Sequence, residues 1–96
     1  MRNVPDQIVG LAKDHQILFS AKARHQIDTG IFNTDDLIHS MLYGEVVKKE
    51  IDERKAARYK YTIAGPSRLG ITIYSCGKII NLLGKAYYII TFHEMR

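Results

Sequence analysis

The stretch SAKARHQ, residues 20–26, places Lys22, Arg24 and His25 directly behind Ser20, a residue suited to cap a helix N-terminus. A helix start already carries about half a positive charge, so cations in its first two turns cost stability. Either they extend into water or the site receives an anion such as phosphate. Histidine also moves protons near neutral pH, its unperturbed pKa being about 6.5. Of the four histidines, His25 and His39 read as helix-surface residues, His15 lies in a linker, and His93 sits near the chain end. Other chemistries lack their signatures. No two histidines stand at H-x-x-x-H spacing, so no metal site is expected. Neither a G-x-S-x-G elbow nor a phosphate-cradling P-loop occurs, and no cofactor is implied. Cys76 falls within a strand pattern and reads as an inert buried thiol.

Ninety-six residues, 46% hydrophobic and 25% charged, suit one α+β domain over residues 1–96 with a modest core. With one cysteine, no intrachain disulfide can form, and a cytoplasmic location is expected. No run approaches the roughly 20 apolar residues that span a bilayer, so no membrane association is expected. The net charge of +4 is unevenly spread. Residues 1–53 carry six basic and nine acidic side chains, a balance of −3; residues 54–96 carry eight basic ones and only Glu94, a balance of +7. A basic half suggests a polyanionic partner such as RNA, unless folding brings acids alongside.

The elements that position these residues follow from periodicity. Pro5 with Ile8, Leu11 and Ala12 gives a short helix fading near Asp14. QILF is an edge strand or an extended linker. Ser20 opens a second helix that faces the core with Ala23 and Ile27 and stops at Gly30. Asn33 or Thr34 caps a third, with Asp35 and Asp36 at its positive end, an apolar stripe of Leu37, Ile38, Met41 and Leu42, and Gly44 as its stop. From Glu45 the pattern becomes strand-like: EVVKKEI, RYKYTIA, GITIYSC, KIINLL and AYYIITFH, with turns at Asp52–Lys55, Gly65–Pro66, Gly77–Lys78 and Gly84–Lys85. Such short connections predict an antiparallel meander with the N-terminal helices on one face. Alternation puts Tyr59, Tyr61 and Ile63 on the core face and Arg58, Lys60 and Thr62 on the other. On the last strand Tyr88, Ile90 and Phe92 share one face and Tyr87, Ile89, Thr91 and His93 the other. Arg58, Lys60 and His93 are thus offered to a ligand.

The segments FSAKARHQIDTGIFNTDDLIHSMLYGEVV, GITIYSCGK and YYIITFHE resemble the family called domain of unknown function 4258, over residues 18–94. Its pattern is F-S-x-H-A-x-x-R-M-x-x-R-G-I, a helix ending in G-E-V-I, a G-R-x-L turn and a final I-T-x-Y strand. The resemblance implies a RelE-like fold, related to ribonuclease toxins of the RelE and MqsR kind, and a cognate antitoxin as partner. Here Lys22 stands at the family's histidine, Gln26 at its arginine, Gly30 near a second arginine and His93 at its final tyrosine. RNA cleavage of this kind uses the substrate's own 2′-OH and basic, tyrosine or histidine side chains, without metal. The resemblance therefore assigns proton transfer to Lys22 and His93 and phosphorane stabilisation to Arg68. The helix-start cations suggest RNA binding by Arg24 and His25, and the basic half with its strand alternation suggests RNA binding by Arg58, Lys60 and Arg68. Against the endoribonuclease reading stands a catalytically silent relative that binds RNA or protein. The sequence leaves the oligomeric state open.

Overall fold

A computed structural model describes residues 2–52 and 59–95. The elements run β1 (Arg2–Asn3), α1 (Asp6–Lys13), β2 (Ile17–Phe19), α2 (Ala21–Thr29), α3 (Thr34–Leu42), β3 (Glu45–Ile51), β4 (Tyr59–Pro66), β5 (Thr72–Asn81) and β6 (Lys85–Glu94). This is the expected α+β order. The six strands form one sheet in the order β1-β3-β4-β5-β6-β2.

Strands β3 to β6 make the predicted antiparallel meander, but the sheet as a whole is mixed, because β2 lies parallel to β6. QILF is therefore a true edge strand. Its return to β6 passes over the helices and the whole meander, a long connection that permits parallel pairing.

Two further expectations are corrected. Gly77–Lys78 is not a turn: GITIYSC and KIINLL join in the single ten-residue β5. Gly77 serves a close approach instead, since a Cβ there would lie 2.6 to 2.8 Å from the ring and hydroxyl of Tyr87. The strict alternation on β6 also fails. Cys76 pairs with Thr91 but Gly77 with Ile89, so Ile90 is an extra residue in a bulge. Tyr87, Ile89 and Phe92 are consequently all buried, and His93 follows Phe92 onto the opposite face.

The core lies between the helices and one sheet face. Ile8 and Ala12 of α1, Ala23 of α2, and Leu37 and Met41 of α3 meet Ile63, Ile73, Tyr87, Ile89 and Phe92 of the strands. Burying each of the leucine, isoleucine, methionine and phenylalanine side chains among them contributes about 1.5–3 kcal/mol against leaving it in water. Asn33 caps α3 in a reciprocal box: its side chain accepts from the Asp36 N–H, and Asp36 accepts from the Asn33 N–H. No helix among the described residues is long and apolar enough to cross a membrane.

Candidate functional site

Ser20 fixes the start of α2 in two directions. Its Oγ accepts from the Ala23 N–H at 3.0 Å, capping the helix, and donates to the Ile90 carbonyl at 2.6 Å. Its own N–H donates to the Ile89 carbonyl. Two turns on, Gln26 does the work of a missing strand. Its Nε2 donates to the Phe92 carbonyl at 2.9 Å, while its Oε1 accepts from the Phe92 N–H and the Thr91 hydroxyl, each at 3.2 Å. β2 ends opposite Ile89. Beyond that point, the side-chain amide of Gln26 satisfies the open edge of β6.

The helix-start cations ride on this docked helix. Lys22 is exposed, its side chain makes no hydrogen bond or ion pair among the described residues, and it lies one turn before Gln26 on the same stripe. Arg24 is exposed and sets its guanidinium 4.9 Å from the centre of the Phe19 ring, a cation–π contact from α2 to β2. His25 is exposed, and its backbone carbonyl accepts from the Thr29 hydroxyl.

His93 is exposed at the end of β6, its ring edge-on to Tyr74 at 5.5 Å. The register sets Tyr74, Thr91 and His93, with Lys60, Thr62, Cys76 and Lys78, on the face turned away from the helices. A shallow depression lined by Tyr74, His93, Glu94 and Met95 opens there, and a second, lined by Tyr43, Val47, Thr72, Tyr74 and Met95 among others, adjoins it. Arg58 lies outside the described residues.

Arg68 does not join this group. Its Nε donates to Asp36 Oδ1 at 3.1 Å, and its backbone N–H reaches the same oxygen. That places the guanidinium at the N-terminus of α3, on the helix side of the sheet. Burial pushes the Asp36 carboxyl up, but hydrogen bonds from Asn33 and Arg68 outweigh it and hold the pKa below the ordinary 3.8. Lys78 is likewise engaged, donating to the buried Asp52 at 3.1 Å. Two of the eight basic residues of the strand-rich half are thus matched by acids of the first half, which lessens the charge asymmetry. On the away face Glu45, Glu50 and Asp52 further balance Lys48, Lys60 and Lys78.

Three features escaped the sequence reading. Gln26 looked like a lost arginine; its strand-mimicking role depends on β2 stopping one residue short of α2. His39 is more than a surface residue: its Nδ1–H donates to the Pro66 carbonyl at 2.8 Å and its ring stacks on Tyr43. Cys76 is half-buried on the away face rather than in the core, and burial raises its thiol pKa. No group of three or more His, Cys, Asp or Glu side chains suited to a metal ion occurs among the described residues. Comparison with protein-family models, curated proteins and solved structures finds no match to this chain, so the family resemblance rests on its short motifs alone.

Proposed function

We propose that the protein is a toxin-like, metal-independent endoribonuclease in which His93 and Lys22 move the protons, with an antitoxin as its natural partner. The observation that carries this reading is the docking of α2 along β6. Ser20 bonds to Ile89 and Ile90, and Gln26 to Thr91 and Phe92, so α2, which carries Lys22 and Arg24, is fixed to the strand that ends in His93. Lys22 is on the helix and His93 on the sheet face turned from the helices. One group takes the proton from the RNA 2′-OH as it attacks phosphorus; the other protonates the departing 5′ oxygen. Arg24 and His25, exposed and without ion pairs among the described residues, are the side chains that meet the phosphate in this scheme. Arg68, whose Nε holds Asp36, is given no part in this scheme.

The silent-relative reading has its own support: Gln26 and Arg68, two positions where the resemblance looks for chemistry, are both committed to structural bonds. One experiment separates the two. Purified protein incubated with mixed RNA, with and without EDTA, should cut in both conditions and leave 2′,3′-cyclic phosphate ends. His93→Gln and Lys22→Met should each slow cutting by ~10²–10⁴-fold without loss of folding. RNA retained but never cut points to the silent relative; undiminished cutting by both variants removes the assignment.

A further inference from the structure

The outer edge of β3 is open over most of its length. β1 covers only Glu45 and Val46, so from Val47 to Ile51 no strand lies beside β3 on that side among the described residues. Lysines and a bulge, which β3 has between Val46 and Lys48, ordinarily discourage edge pairing. Here the charges are arranged as their own complement.

We propose that two copies of this chain join through antiparallel pairing of β3 about a two-fold axis at Lys49. In that register Lys48 stands opposite Glu50 of the second copy, and Glu50 opposite Lys48 of the second copy. Val47 and Ile51, 40% and 72% exposed, come opposite each other at both ends. The register is selected by parity: residues facing each other across an antiparallel ladder share a face, and Lys48 and Glu50 share the one turned from the helices. Shifting the centre to Lys48 loses the Lys–Glu pairs, and shifting it to Glu50 sets two glutamates together.

The one like-charge pair, Lys49 with itself, is relieved within each copy. Its ammonium lies 4.2 Å from the Tyr59 ring centre and 5.8 Å from that of Tyr61, drawn back over β4 and away from the outer edge. In the single chain Lys48 and Glu50 are exposed and only 3.9 Å apart along the strand, so both are accessible to a second copy. Such an isologous contact closes after two copies, so it predicts a dimer and no fibre. Five residues a side make a small interface, and the association is weak and salt-sensitive.

Sedimentation equilibrium up to millimolar concentration tests this. The average mass of the wild type should climb from 11.0 kDa toward twice that value and fall back in high salt. Lys48→Glu and Glu50→Lys each replace two attractive pairs by two repulsive ones and should weaken association about tenfold or more. Mixing the two variants restores opposite charges at all four positions, so the mixture should dimerise where neither variant does alone. A wild type that stays monomeric at millimolar concentration overturns the proposal. So do dimers indifferent to both reversals, or a mixture that fails to associate.

Discussion

The two edges of the sheet are treated in opposite ways. At the β6 edge, β2 pairs with Tyr87 to Ile89, and the amide of Gln26 then takes over the backbone of Phe92. At the β3 edge, two residues of β1 suffice for Glu45 and Val46, and the following residues face outward with alternating charge. The closed edge is rigidly braced to the helices and presents His93 at its end. The open edge beyond Val46 contributes little to the core, with Val47 and Ile51 exposed. A backbone edge can thus be satisfied within the chain by one well-placed side chain, or left open to a second copy whose charges complement its own.

The contrast is sharpest for core residues. Phe92 is buried, meeting Phe32 edge-to-face, and Phe92→Ala should cost about 3–5 kcal/mol in urea unfolding. Ile51→Ala, on the exposed edge strand, should stay within about 0.5 kcal/mol. Comparable losses at the two sites would mean that the β3 edge is buried in solution.

Gln26→Leu keeps the bulk on α2 but leaves the Phe92 N–H and carbonyl without their partner. A loss of about 1–3 kcal/mol is expected, with faster hydrogen exchange at the Phe92 amide. Unchanged exchange at that amide would show that the edge does not need the clamp.

Asp36 links the helix side to the loop bearing Arg68, and its effect should depend on pH. Its pKa is lowered in the fold, so its stabilisation is present above the unfolded carboxylate value and is lost as pH falls through the folded one. Wild type should therefore lose stability below about pH 4 more steeply than Asp36→Asn. Parallel melting curves for the two across that window would contradict the ion-pair account.

The smallest effect belongs to the open edge. Reversing Lys48 or Glu50 should change the stability of the single chain by at most about 0.5 kcal/mol, because both are solvated. A larger loss would mean that their charges matter within one copy, not only between two.

Much of the layout was legible in local sequence. Ser20 and Asn33 are caps because their side chains reach N–H groups only three residues away. The stripe Leu37, Ile38, Met41 and the alternation around Ile63 each follow from a single element's period. The bulge at Ile90 was not legible, since an extra residue matters only against a partner strand. Gly77 was misread as a turn because the Tyr87 ring it makes room for lies ten residues away.

The sequence by itself determined where helices begin, where the period changes from helix to strand, and that Ala23 and Ile63 face the core. These depend on contacts within a few residues, where composition and spacing leave few alternatives. Only the tertiary structure decided that β2 runs parallel to β6, that Gln26 closes that edge, and that Arg68 and Lys78 are held by Asp36 and Asp52. Each of these joins residues 26 to 70 positions apart, through geometry that no local pattern encodes.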